Sequence, residues 1–224
     1  MILREGRSLK IATLIRRAYG DYRPVAQKSE TVVFGFGCTK IVKYRKELNG
    51  ETSVLKELAA LSEKTDGVIL AAFDTDNYGV IRHSCGIFEK GRLLGITDMS
   101  VCLEQNGYMP GCGNRVFDTG AGRLAVAVGD DAFSFDLMKS LVVCGAETIF
   151  LLSDRKRTEN TRIVVRAYSY LLGVPFLYLA EDGMIATDPR GKIVASSEED
   201  ECFAEIPTPA EYSLKITKVR LRDP

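Results

Sequence analysis

Gly122-Arg123-Leu124-Ala125-Val126-Ala127-Val128-Gly129-Asp130-Asp131-Ala132-Phe133-Ser134-Phe135 changes character in the middle. Arg123 to Val128 is short, apolar and β-branched, the composition of a buried strand. Gly129-Asp130-Asp131 stops it. Ser134 to Cys144 then reads as a helix, with Gly145 as its C-terminal cap. A buried strand running through a glycine into a helix is the unit of a layered α/β domain.

The same alternation extends in both directions. Downstream, Thr148 to Leu152 reads as strand, Thr158 to Leu172 as helix and Val174 to Leu179 as strand, a crossover unit. Met184 to Thr187 and Lys192 to Ser196 flank Asp188-Pro189-Arg190-Gly191, a hairpin turn. Phe203 to Ile206 is a last core strand, and the tail from Pro207 leaves the domain. Upstream, Leu9 to Ile15 and Thr31 to Phe36 read as strands. Ser53 to Lys64 is a helix with Val54, Leu55, Leu58 and Leu61 on one face. Val68 to Phe73 is a buried strand. Gly79 to Phe88 and Leu93 to Met99 form a hairpin about Lys90-Gly91. Asn106 to Asn114, with Gly107, Pro110, Gly111 and Gly113, is loop. The polar stretches Thr39 to Thr52 and Ser153 to Thr161 read as surface connections.

Composition narrows the class. The 224 residues suit one domain, 1–224, with 207–224 as a C-terminal extension. Lys plus Arg and Asp plus Glu are 30 each, so the formal net charge is zero. That balance gives no general pull towards nucleic acid or an anionic membrane. No apolar run approaches the ~20 residues that span a bilayer, and MILREGRSLK is too charged for a signal peptide. Six cysteines, at 38, 85, 102, 112, 144 and 202, form no Cys-x-x-Cys pair. They read as reduced, mostly buried thiols of a cytoplasmic protein. A metal site built from cysteines with His83, the sole histidine, is not expected, because zinc ligands usually pair more tightly in sequence. No metal or cofactor is expected.

The ordered series resembles the carbon–nitrogen hydrolase, or nitrilase-like, superfamily. Tyr108-Met109-Pro110-Gly111, Val116-Phe117-Asp118-Thr119 and Gly122-Arg123-Leu124 are similar to the run before that family's nucleophile strand. Ala125 to Asp131 with Ser134-Phe135-Asp136-Leu137 resembles the nucleophile strand, its elbow and the next helix. Cys144-Gly145-Ala146-Glu147, Arg166-Ala167, Asp182-Gly183-Met184-Ile185 and Asp188-Pro189-Arg190-Gly191 resemble later family segments. The likeness covers most of 9–206 and is weakest at the N-terminal end, where the first helix is abbreviated. It implies a four-layer α-β-β-α sandwich of two mixed sheets. It also implies a homodimer paired through the outer helices.

Hydrolase chemistry in that family uses a cysteine nucleophile, a glutamate acid–base and a lysine at the oxyanion. The resemblance puts Phe36 at the glutamate position, Met99 at the lysine and Gly129 at the cysteine. A one-residue slip on a strand turns a side chain to the opposite face, so these registers cannot be adjusted freely. No acid lies within five residues of Phe36, and no cysteine lies between Cys112 and Cys144. The implied protein is a catalytically degenerate homologue that binds a small molecule or regulates. Its pocket is expected to include Phe36, Met99, Gly129, Asp130 and Ser169, the last where the family has a second glutamate. Two alternatives stand beside it. One is an active amidase-type hydrolase using Asp130 or Asp131 with water, or a relocated thiol at Cys38 or Cys112. The other is a structural subunit of a complex. Asp130 and Asp131 also read as caps on the following helix, and His83 as a hydrogen-bonded structural residue.

Overall fold

The computed structural model describes residues 7–23, 29–102 and 107–208. The first half contains β1 (Arg7–Leu14), β2 (Thr31–Phe34), β3 (Val42–Lys43), α1 (Tyr44–Leu48), α2 (Val54–Thr65), β4 (Val68–Asn77), β5 (Val80–Glu89) and β6 (Arg92–Asp98). The second half contains β7 (Val116–Thr119), β8 (Gly122–Val128), α3 (Phe135–Val143), β9 (Thr148–Leu152), α4 (Glu159–Leu172), β10 (Phe176–Ala180), β11 (Gly183–Thr187), β12 (Ile193–Ser197) and β13 (Glu201–Thr208).

Two mixed sheets result. One runs β13-β1-β2-β4-β5-β6, with β3 beside β4; the other runs β12-β11-β10-β9-β8-β7. Each has a parallel centre, β1-β2-β4 or β8-β9-β10, and antiparallel flanks. Period-two alternation sets the layers. Leu9, Ile11, Val33, Leu70 and Ile87 face Leu124, Val126, Val128, Phe150 and Leu177 between the sheets. The intervening Ala12, Leu14, Val32 and Phe34 pack outward on Leu58 and Ala59 of α2. Ala125, Ala127 and Ile149 pack outward on Met138, Leu141, Val165 and Leu172 of α3 and α4. The order is therefore helix, sheet, sheet, helix, the expected α-β-β-α sandwich.

Several local expectations change. Strand β2 stops at Phe34, and Phe36–Cys38 is a 3-10 turn. The reason is close packing: a Cβ on Gly37 would stand 2.6 Å from the Ile15 carbonyl oxygen. Thr39 to Thr52 is more than a connection, because it carries β3 and α1. Strand β13 continues through Pro207 and Thr208 against β1, so the chain does not leave the domain at 207. The rest of the expected extension, 209–224, lies outside the described residues. Between β1 and β2 the described residues hold one 3-10 turn, Tyr19–Asp21. Of the six thiols only Cys38 and Cys85 are buried; Cys102 and Cys202 are half-buried, and Cys112 and Cys144 are exposed.

Candidate functional site

Gly129 follows the last residue of β8 and has φ +58°, the left-handed region that suits glycine. A Cβ placed there would lie 2.5 Å from Met99 Sδ and 3.8 Å from His83 Cδ2. Met99, which follows β6, is 2% exposed. Its N–H donates to the His83 carbonyl, and its Sδ accepts the Asp130 N–H at 3.3 Å. Phe36 sits edge-on to the His83 ring, centroids 4.9 Å apart. Phe36, Met99 and Gly129, up to 93 residues apart in the chain, thus gather about His83: Phe36 and Gly129 beside its ring, Met99 on its backbone carbonyl and against Gly129.

That imidazole is held on every side. His83 Nδ1 is 2.7 Å from Asp74 Oδ1, its cross-strand partner on β4. Its Nε2 faces Asp154 Oδ2 at 3.4 Å, across from the other sheet. The Tyr108 ring stacks on it at 3.6 Å, and the Tyr108 hydroxyl donates to Asp74 Oδ2. Burial and the neighbouring Asp74 push the Tyr108 hydroxyl up to about 12, so it stays a donor.

A cleft of about 250 Å³ opens beside this group. The ends of β1, β9 and β10, with the turn after β2, line it: Ile15 and Arg16, Phe36, Ser153 and Asp154, Ala180 and Glu181. It lies outside the carboxyl ends of parallel strands, where open α/β sheets bind ligands. Phe36 and Asp154 belong both to its wall and to the surroundings of His83.

The two aspartates are engaged elsewhere. Asp131 is fully buried and accepts the N–H groups of Ser100 and Val101, the Ser100 hydroxyl and the Asn114 amide. It anchors the segment after β6 and does not cap α3, whose N-cap Ser134 has no side-chain cap bond. Asp130 is 3% exposed and pairs with Arg155 Nη2 at 3.3 Å. Neither lines the cleft. Ser169 does not join the group. It is buried on α4, hydrogen-bonded to Thr187 and Val165. Thr187 pairs with Phe176, about 13 Å along β10 from the Ala180 that meets the cleft. Its helix faces the outer side of the second sheet, which separates it from the inter-sheet site.

The relocated thiols find no base. Cys38 Sγ donates to the Leu14 carbonyl, and burial pushes the thiol up to about 12, away from the nucleophilic thiolate. Cys112 is exposed in the loop after β6. Among the described residues no cluster of three or more His, Cys, Asp or Glu is arranged to hold a metal ion. Asp74, Tyr108 and Asp154 are the members of the His83 group that the sequence did not single out. Asp74 had a signal: about the Tyr78-Gly79 turn, residues 74 and 83 fall in register. Asp154 had none, because it reaches His83 from the other sheet.

No family model matches the chain, and no curated protein matches it. Solved structures do. A carbon–nitrogen hydrolase from Helicobacter pylori G27 aligns with TM-score 0.69 and 16% identity over 89% of each chain. Saccharomyces cerevisiae Nit3, a member of branch 10 of the nitrilase superfamily, gives 0.71 and 16% over 89% of this chain and 90% of that one. A mutant of the Nesterenkonia AN1 amidase from the nitrilase superfamily gives 0.72 and 12% over 93% and 94%. At such identities the likeness is one of architecture: this chain has the carbon–nitrogen hydrolase, or nitrilase, fold.

Proposed function

We propose that the chain is a catalytically degenerate relative of the carbon–nitrogen hydrolases that binds a small molecule in the cleft beside Phe36, and that it regulates rather than hydrolyses by the thiol route. The observation that carries this is the Met99 thioether. It fills the volume that a side chain on Gly129 would need, and nothing at that point can form an acyl-enzyme. Phe36 and Met99 supply apolar surface where charged groups would need solvation or partners. In the same reading the protein works in the cytoplasm as a homodimer. Ile163, Tyr170 and Leu171 of α4 and Val143 of α3 are exposed apolar side chains on the outer layer, which supports pairing there. Zero net charge leaves little repulsion against it. Among the described residues no helix is long and apolar enough to cross a membrane.

A mutant of the amidase from Nesterenkonia sp. AN1 shows covalent addition of the acetamide moiety of fluoroacetamide at its active site cysteine, and another is in complex with butyramide. Those two compounds test the reading. Fluoroacetamide should leave no stoichiometric adduct by mass spectrometry. Butyramide should shift amide resonances of Phe36, Gly37, Ser153 and Asp154 without being consumed. One butyramide-protected cysteine adduct, with turnover of butyramide, would refute it.

A further inference from the structure

His83 is the chain's only histidine, and its surroundings exceed what a structural imidazole needs. Asp74 fixes Nδ1 at 2.7 Å, and Tyr108 fixes Asp74 in turn. A carboxylate on Nδ1 sets the ring's orientation and tautomer and leaves Nε2 for proton exchange, the arrangement of an acid–base histidine. The stacked Tyr108 and edge-on Phe36 stop the ring from rotating. Nε2 points to Asp154, whose side chain is 37% exposed on the cleft wall. His83 itself is 3% exposed and Asp154, at 3.4 Å, stands between its Nε2 and the cleft, so water reaches Nε2 only where the Asp154 side chain turns aside. The ring's Cδ2, bonded to Nε2, lies 3.8 Å from where a Gly129 Cβ would stand, the space that Met99 Sδ fills.

We infer that His83, oriented by Asp74, is an acid–base residue of the cleft, where it activates water against an activated carboxylic ester. Nε2 accepts a proton from water as the water oxygen bonds to the acyl carbon. The tetrahedral adduct then collapses. The acyl–oxygen bond breaks, its electron pair leaves with the alkoxide or phenoxide, and the imidazolium returns its proton to that oxygen or to solvent. Products are the carboxylic acid and the alcohol. An ester fits better than an amide because, among the described residues, the cation next to the Gly129 turn, Arg155, is paired with the Asp130 carboxylate, and Gly129 itself offers no thiol for an acyl-enzyme. A lone base serves only a leaving group that departs readily. The titratable groups facing His83 are Asp74 from β4, Tyr108 from the loop after β6 and Asp154 after β9, with the Asp130–Arg155 pair behind Met99.

The inference rests on the reading that the cleft admits a small molecule, and its test is separate from that reading. The probe is p-nitrophenyl acetate, with the exposed thiols removed by Cys112→Ser and Cys144→Ser. Hydrolysis should exceed that by equimolar free imidazole and follow a single titration in its pH profile. Carbethoxylation by diethyl pyrocarbonate, which meets one imidazole in this chain, should abolish it, and hydroxylamine should restore it. Asp74→Asn, which presents a donor to Nδ1 and so favours the wrong tautomer, should lower the rate by roughly 100-fold and remove the titration while thermal unfolding stays cooperative. A rate no better than imidazole, full activity after carbethoxylation, or an unaltered Asp74→Asn profile would overturn the inference. If butyramide still shifts the cleft resonances in that case, small-molecule binding stands and only the acid–base role falls.

Discussion

Met99 Sδ lies 2.5 Å from the point where a Cβ on Gly129 would stand, so residue 129 can carry no side chain while Met99 keeps its place. The two positions are therefore coupled, and restoring one without the other overpacks the site.

Gly129→Cys alone should destabilise the chain by about 2–4 kcal/mol. The left-handed φ of Gly129 contributes ~1 kcal/mol and overpacking ~1–3 kcal/mol. Adding Met99→Ala should recover part of that loss, a non-additive pair. The triple variant Phe36→Glu, Met99→Lys, Gly129→Cys should remain less stable than the parent and hydrolyse butyramide little above background. Urea unfolding and an ammonia-release assay check both points. A triple variant as stable as the parent with substantial turnover would contradict the degenerate reading.

Asp131→Asn should cost about 2 kcal/mol, because an amide offers its own donors to the Ser100 and Val101 N–H groups. Burial pushes the Asp131 carboxyl above the usual carboxylate range, although Ser100, Val101 and Asn114 pull it partly back. The folded chain thus binds this proton more tightly than the unfolded chain. The stability that this group contributes is fully present below about pH 4 and is lost as pH rises through the raised value. The difference between wild type and Asp131→Asn should shrink from pH 3 to pH 7 in denaturant titrations.

Arg157→Met should flatten the acid limb of stability. Burial works against the Asp182 carboxylate, but the Arg157 N–H, charge and Nε outweigh it and hold the carboxyl below its usual range. Here the sign is the reverse. The contribution is present above about pH 4 and lost as pH falls through the depressed value. Wild type should therefore lose more stability between pH 5 and pH 2 than the variant, read by thermal unfolding.

Thr158→Ala should lower stability by about 1 kcal/mol and the melting temperature by roughly 2–4 °C. The Thr158 hydroxyl accepts the Thr161 N–H, and Thr161 Oγ1 accepts the Thr158 N–H, closing a capping box on α4. Calorimetry on the variant measures both quantities.

The layers of this protein were legible in its sequence because they follow from local periodicity. Leu124, Val126 and Val128 alternate with Ala125 and Ala127, and that spacing alone assigns one set to each side of β8. The helical spacing of Val54, Leu55, Leu58 and Leu61 likewise fixed the face that α2 buries. Local pattern misjudged Phe36, because its turn depends on how closely Gly37 packs against Ile15, just past the end of β1. It also misjudged Asp131, which anchors the Ser100 segment from another part of the chain, and Ser169, which faces Thr187 on the outer side of the second sheet. Asp74 reaches His83 through strand register and Asp154 through the stacking of the two sheets. Periodicity encodes which way a side chain faces; only the packing of one sheet on the other decides which side chain it meets there.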